Sequence, residues 1–369
     1  MKIGIDFRSA ANLTGTGVYT SNLYKTLVKI DRKNQYFTLT SDVRFKKRNV
    51  ITKILNAGLE IGKTQLLPLK YIYKNSLDLL HFPANVSSYK SLKPNIVTIH
   101  DLGFLFYPIA YDRYYEKYLK YFVALSARHS DAIITVSEST KKEIVERFNI
   151  EPQKIWVTYE GISDLWSRIN ANAARSRLQG RFNFADRPYI LSIGELIPRK
   201  NHEGLIRAFA LLCSKGTREI PDLVFAGPDK FGFQEKLMSL ARELKVAGKV
   251  HFCGYVNHSE LMNLLNACEM LSYVSFYEGF GIPMLEAMHC EIPVLSSNTS
   301  CMPEIAGAAA LLVRPAEIEE IAEGIEKIIF DTELKKKLCI EGKSRAKLFS
   351  WEKAAQKTIE VYETFDRQC

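Results

Sequence analysis

Short apolar runs alternate along this chain with longer stretches in which apolar residues return every third or fourth position. The short runs read as buried strands and the longer stretches as amphipathic helices. In the first half, "KIGIDF", "YFTLT", "LLHF", "NIVTIH", "AIITVS" and "IWVTYE" are the strands. Between them "GVYTSNLYKTLVKI", a basic stretch, "RYYEKYLKYFVALSA" and "TKKEIVERF" are helical, the last with Ser137 or Ser139 as its cap. Repetition of β-α-β predicts a mostly parallel sheet with helices on both faces.

"SDLWSRINANAARSRLQGRFNFADRP" breaks this rhythm and reads as an interdomain linker, after which the alternation restarts. "YILSIG", "DLVFAG", "KVHFCG", "MLSYVS" and "PVLSS" are strands; "NHEGLIRAFALLC", "FQEKLMSLARELK", "SELMNLLNAC" and "IPMLEAM" are helices. Two further helical stretches end the chain. A length of 369 residues also exceeds what one core supports. The expected organisation is one doubly wound domain over 1–164 and a second over 165–350. The last helix, 351–366, carries Trp351, Ala354, Ala355, Thr358, Tyr362 and Phe365 on one face, with Ser350 as its cap. Such a stripe needs a surface, and crossing back to the first domain would provide one. Ligands of doubly wound sheets sit at strand carboxyl ends, so a cleft between the two domains is the expected site.

Composition fits a water-soluble globular protein: 47% hydrophobic and 25% charged residues. No apolar run approaches the roughly 18–20 residues needed to span a bilayer. Asp6 and Arg8 interrupt the first apolar stretch, which argues against a cleaved leader and for the cytoplasm. Seven cysteines, none in a CxxC pair, match no zinc site and read as free thiols. The net charge of +9 concentrates at "RFKKRNVITK" (Arg44, Lys46, Lys47, Arg48, Lys53), followed by lysines mixed with leucine and tyrosine. That mixture suits peripheral attachment to an anionic membrane, and equally a solvated loop and helix face. Without a zinc finger, RNA-recognition signature or basic tail, nucleic acid is not an expected partner.

One stretch carries chemistry: "YEGFGIPMLEA", Tyr277 to Ala287. Pro283 can start a helix cleanly, because its missing N–H would lack a partner there anyway. Gly279 and Gly281 let the backbone turn tightly and approach a ligand. A helix amino terminus after such a turn suits a phosphate. Glu286 lies about one turn in and leans back toward that terminus, within reach of a ribose diol. Glu278, on the other side of the turn, would meet a sugar on the far phosphate. Spacing alone leaves this as one reading among several.

"SFYEGFGIPMLEAMHCEIPVLSSNTSCMPEIAG" resembles the donor-site signature of the retaining family 4 glycosyltransferases of GT-B fold: two glutamates with seven residues between them, then a "PV" strand and a "PE…G" turn. "TGTGVYTSNL", "TIHDL", "TVSEST", "IGELIPRKN", "FAGP" and "FSWEKAA" resemble the same family in the same order, across essentially the whole chain. The resemblance implies an α/β protein with two Rossmann-like doubly wound domains facing across a cleft. It further implies that Glu278 contacts the donor sugar and Glu286 the ribose, while Phe280 and Gly281 offer backbone N–H groups to the diphosphate. Lys200 matches the lysine that neutralises the diphosphate. The family's arginine after the strand-end glycine is missing, since Glu195 follows Gly194; Arg199 is the candidate substitute. His100 matches a histidine near the donor sugar, and Gly15 and Gly17 match a glycine loop after the first strand. Val274 stands where a proline is common, and Glu291 where a glycine commonly ends the helix.

The expected chemistry is retaining sugar transfer that needs neither metal nor cofactor beyond the nucleotide sugar, the cations stabilising the departing diphosphate. The leaving phosphate would take the acceptor's proton. The resemblance is nearest to bacterial mannosyltransferases of surface polysaccharide assembly, implying GDP-mannose as donor and a lipid-linked or lipopolysaccharide glycan as acceptor. A UDP-sugar enzyme, a sugar-nucleotide 2-epimerase and a non-catalytic sugar-nucleotide-binding subunit are the alternatives. A nicotinamide-dependent oxidoreductase would need a fingerprint whose third glycine is here Thr20.

Overall fold

The computed structural model describes residues 1–11, 15–41, 50–216 and 218–366. They divide into two compact units, Met1–Gly161 with Ser350–Cys369, and Ile162–Phe349. The basic block Arg44–Lys53 lies outside the residues whose side chains are described.

Among the described residues, the first unit is built on one six-stranded sheet. Its strands are β1 (Lys2–Asp6), β2 (Gln35–Leu39), β3 (Leu79–Phe82), β4 (Asn95–Ile99), β5 (Ala132–Thr135) and β6 (Ile155–Val157). They run parallel in the order β2-β1-β3-β4-β5-β6. Every residue of β3, β4 and β5 is buried, as a parallel sheet covered on both faces requires. Of the two candidate serines, Ser137 caps the helix Glu138–Phe148, its hydroxyl accepting the Thr140 N–H at 3.1 Å. The helix Trp351–Asp366 packs on the helix Gly15–Ile30 of this unit. Trp351, Ala354, Ala355, Thr358 and Tyr362 are buried there, whereas Phe365 is only half-buried. The Ser350 hydroxyl accepts the Lys353 N–H at 3.2 Å. Close passage explains Gly161: a Cβ there would lie 2.1 Å from the Trp351 nitrogen.

The second unit also has six parallel strands among its described residues: β7 (Tyr189–Ile193), β8 (Asp222–Ala226), β9 (Val250–Phe252), β10 (Met270–Tyr273), β11 (Val294–Ser297) and β12 (Leu311–Val313). The order is β12-β11-β10-β7-β8-β9. Chain order reverses between β7 and β10, where Met270 pairs with Ile190. Loops leaving the two strands at such a switch point diverge and open a crevice at their carboxyl ends. Arg199 and Lys200 follow β7, and Glu278, Phe280 and Gly281 follow β10.

Two expectations need correction. The segment read as a linker belongs to the second unit and holds a helix, Ala171–Leu178, which packs on the helix His258–Ala267. Asn170 caps it, and Trp166, Ala174, Leu178 and Phe184 are buried beneath a polar background of asparagine and arginine. The three-residue strand β12 was also missed, being too short for any period to show. Glu291 takes φ +57°, the left-handed conformation that a glycine adopts without strain, and bonds Lys343 at 2.6 Å. The described cysteines are unpaired; Cys268, Cys290 and Cys301 are buried, and Cys213, Cys253 and Cys339 half-buried. Among the described residues no helix is long and apolar enough to cross a membrane.

Candidate active site

The residues singled out above fall into two groups, one in each unit. In the second unit, Gly194 directly follows β7 with φ +146°, and the Lys200 side chain crosses over it. A Cβ on Gly194 would stand 3.0 Å from Cε of that lysine. Asn201, itself at φ +58°, anchors the turn by donating to the carbonyls of Val274 at 3.1 Å and Pro315 at 2.6 Å. The Phe276 N–H donates to the Arg199 carbonyl at 2.9 Å, tying the loop after β10 to the loop after β7.

Glu278 is where the two loops converge. Lys200 Nζ lies 2.6 Å from its Oε1 and Arg199 Nη1 lies 3.1 Å from its Oε2. The three side chains are only 7–13% exposed, so this Arg-Lys pair is not a solvated turn. Arg199 also donates to the Tyr277 carbonyl at 2.7 Å, and Lys200 to the Tyr273 hydroxyl at 2.9 Å. Burial pushes the Glu278 carboxyl up, but Lys200 and Arg199 outweigh it and hold the group at about 2. From behind, the turn after β11 clamps the Glu278 backbone. Ser300 Oγ donates to its carbonyl and accepts its N–H, and Cys301 Sγ lies 3.2 Å from the same carbonyl.

Gly281, at φ +96°, caps the helix Ile282–His289, with Pro283 in its first turn. Phe280 is buried edge-on to Phe349, with ring centroids 5.8 Å apart. Glu286, one turn into that helix, is half-buried. Burial lifts its carboxyl to about 8, a hydrogen bond from the Trp166 side chain opposing the shift. The two glutamates of the signature are therefore shifted in opposite directions, Glu278 toward the ionised form and Glu286 toward the protonated one.

In the first unit, His100 directly follows β4 and is buried. Its Nε2 lies 2.9 Å from the Pro83 carbonyl and its Nδ1 3.3 Å from Glu160 Oε1. Burial lowers its affinity for a proton, but the bond and charge of Glu160 more than compensate, leaving the ring above its ordinary range. The Asp101 carboxylate bonds the Gly103 N–H at 2.8 Å and so holds the following turn. The glycines expected in a loop are a correction: Gly15 and Gly17 open the helix Gly15–Ile30, Gly15 exposed and Gly17 buried.

Sequence reasoning missed Glu160, Tyr273, Ser300 and Trp166. Glu160 carried a usable signal, because a carboxylate just past a strand's carboxyl end belongs on the ligand side of a parallel sheet. The others act through neighbours that only strand order brings close.

Comparison with known proteins shows the family. Residues 176–345 match the model of "Glycosyl transferases group 1", and residues 14–164 that of "Glycosyltransferase Family 4". The chain is 30% identical over 272 residues to the O-antigen chain mannosyltransferase B of Escherichia coli, covering 73% of this chain and 70% of that protein. Sucrose-phosphate synthase of Thermosynechococcus elongatus superposes with TM-score 0.78 at 19% identity, covering 100% of both chains. Anabaena HepE in complex with UDP-glucose superposes with TM-score 0.75 at 19% identity, covering 99% of this chain and 100% of that one. With a family 4 match in its first unit and a group 1 match in its second, on two Rossmann-like units of the GT-B fold, the chain belongs to the family 4, group 1 glycosyltransferases.

Proposed function

We propose that this glycosyltransferase moves mannose from GDP-mannose, with retention, onto a lipid-linked or lipopolysaccharide glycan at the inner face of the cytoplasmic membrane. The observation that carries the reading is the buried Lys200–Glu278–Arg199 cluster at the β7/β10 switch point: two cations at strand ends, beside a helix amino terminus. Such a site stabilises a departing diphosphate, the role that a metal ion serves in other transferases. The choice of mannose rests on the likeness to a mannosyltransferase of O-antigen chains. Glu278 meets the sugar hydroxyls, Glu286 the ribose, and Phe280 and Gly281 the diphosphate. The leaving phosphate takes the acceptor's proton. No cofactor joins the nucleotide sugar.

A panel of radiolabelled nucleotide sugars, scored for binding and for transfer to mannose-terminated lipid acceptors, tests this. GDP-mannose should lead both rankings. Binding without transfer to any acceptor would instead mark a sugar-nucleotide-binding subunit, and a UDP-sugar in first place would reassign the donor.

Arg199→Ala and Lys200→Ala should each weaken GDP binding about 10- to 100-fold, the loss of one charge-assisted bond of roughly 1.5–3 kcal/mol. Guanosine, lacking phosphates, should bind either variant nearly as it binds the original. Isothermal titration with the two ligands checks this. Equal losses for both would mean that the cations support the fold and do not hold the diphosphate.

A further inference from the structure

Two buried histidines lie close together in the first unit, one within β3 and one just past β4, with different partners. His81 has Nδ1 2.7 Å from the Tyr362 hydroxyl and Nε2 2.8 Å from the Thr98 hydroxyl. A hydroxyl can donate or accept, so a neutral ring is satisfied at both nitrogens. His100 faces a carbonyl at Nε2 and a carboxylate at Nδ1, at 2.9 and 3.3 Å. A carbonyl only accepts, so Nε2 carries hydrogen, and beside a carboxylate that accepts, Nδ1 carries one as well.

We infer that Glu160, just past β6, is the positioning residue of His100 and holds its ring as an imidazolium with both N–H groups committed to protein acceptors. The backbone supports this placement from two sides. The His100 N–H donates to Asn85 Oδ1 at 2.8 Å, and the Thr140 hydroxyl, from the helix Glu138–Phe148, donates to the His100 carbonyl at 3.4 Å. The side chains of His100 and Glu160 are 9% and 6% exposed, so solvent does not compete for either bond. Tyr19, from the helix Gly15–Ile30, meets the ring at 4.7 Å and 89° and fixes its plane.

Among the described residues, the charged and titratable groups facing the ring are Glu160, Asp101, Tyr19 and His81. Asp101 adds favourable negative charge. Burial holds His81 down at about 3, and the neighbouring His100 charge pushes the same way, so His81 remains neutral. A ring so engaged is no general base at neutral pH. It supplies fixed charge and shape, and Glu160 decides whether that charge is present. Its effect on transfer rests on the function proposed above; its effect on the ring does not.

Selective 15N-histidine labelling of the full chain, with His100→Ala to assign the signal, reads the ring directly. In the unaltered chain, His100 should give an imidazolium pattern throughout pH 6–8.5. In Glu160→Gln, which keeps the side chain's shape and size, burial is left without its main opposing charge, and the ring should be neutral by about pH 6.5, the value for an unassisted histidine, or below it. Turnover of GDP-mannose by that variant should fall at least about 20-fold between pH 6 and pH 8, following the fraction of charged rings. The unaltered enzyme should show no such limb, and Glu160→Asp should restore part of the high-pH activity. A neutral His100 in the unaltered chain at pH 7, the carboxyl of Glu160 holding the proton instead, would overturn the inference. So would an unchanged pH profile in Glu160→Gln. If no nucleotide sugar turns over at all, the proposed function fails while the NMR titration still decides the role of Glu160.

Discussion

Glu278→Gln is expected to depress sugar transfer about 100-fold while tightening the binding of free GDP, two effects of opposite sign from one substitution. The reason is the geometry of the cluster. Glu278 sits on Lys200 at 2.6 Å and Arg199 at 3.1 Å, so a carboxylate already occupies the cations proposed to receive the diphosphate. An incoming diphosphate must share or take those partners beside a fixed negative charge. Glutamine keeps the side chain's length and removes the charge, so GDP should bind about tenfold more tightly, roughly 1.4 kcal/mol. The sugar's hydroxyls lose their charged acceptor, and transfer suffers.

The same substitution should cost stability when no ligand is present, because it leaves two buried cations without their carboxylate. Breaking such a cluster costs about 3–5 kcal/mol. The pH dependence has a definite sign. With its folded value depressed from 4.5 to about 2, Glu278 stabilises the fold above about pH 4.5, and that contribution is lost as pH falls toward about 2. Its size is of order 3 kcal/mol, at 1.36 kcal/mol per unit. Denaturant unfolding of the two proteins should therefore give curves that separate above pH 4.5 and converge in acid. Titration calorimetry with GDP supplies the other half. A higher Kd for GDP in Glu278→Gln would show that the carboxylate does not compete with the diphosphate.

How much of this was legible in the sequence depends on range. The alternation of apolar runs with helical periods located eleven of the twelve strands among the described residues, since each signal is contained within its own segment. Glu278, Lys200 and Arg199 were recognisable because resemblance marked them, and Arg199 specifically because Glu195 occupies the usual arginine position. Their meeting was not legible, because Arg199 follows β7 and Glu278 follows β10, strands that become neighbours only through the sheet's reversed order. The pairing of Glu160 with His100 was hidden for the same reason, since they follow β6 and β4, which are not adjacent in the sheet. The supposed linker failed differently. Its buried residues, Trp166, Ala174, Leu178 and Phe184, are too sparse among polar neighbours to show a period, yet they anchor the segment to the second unit.

Trp166 matters most through Glu286, where the last prediction arises. Burial lifts this carboxyl from 4.5 to about 8, so folding forces it to stay protonated where the unfolded chain would ionise it. The linkage runs opposite to that of Glu278: the unfolded state binds fewer protons between about pH 4.5 and 8, and stability falls as pH rises through that window. Glu286→Gln removes the liability. It should raise Tm by several degrees at pH 8.5, at roughly 2–4 °C per kcal/mol for a unit of this size, and by little at pH 4.5. Ribose binding should respond in the reverse direction. A diol donates its hydroxyl hydrogens best to an ionised carboxylate, so the nucleoside must drive a proton off Glu286 at neutral pH. Guanosine affinity of the unaltered protein should thus climb between pH 6.5 and 8.5 and level off above about pH 8. Guanosine serves as the probe because it has no phosphate to titrate in that range. Calorimetry in buffers of different ionisation enthalpy should register close to one proton released at pH 7 by the unaltered protein and none by Glu286→Gln. A variant that gains no stability at pH 8.5 and binds guanosine unchanged would remove Glu286 from the ribose site. A gain in stability joined to a loss of guanosine affinity would establish it as a group kept there for binding against its effect on the fold.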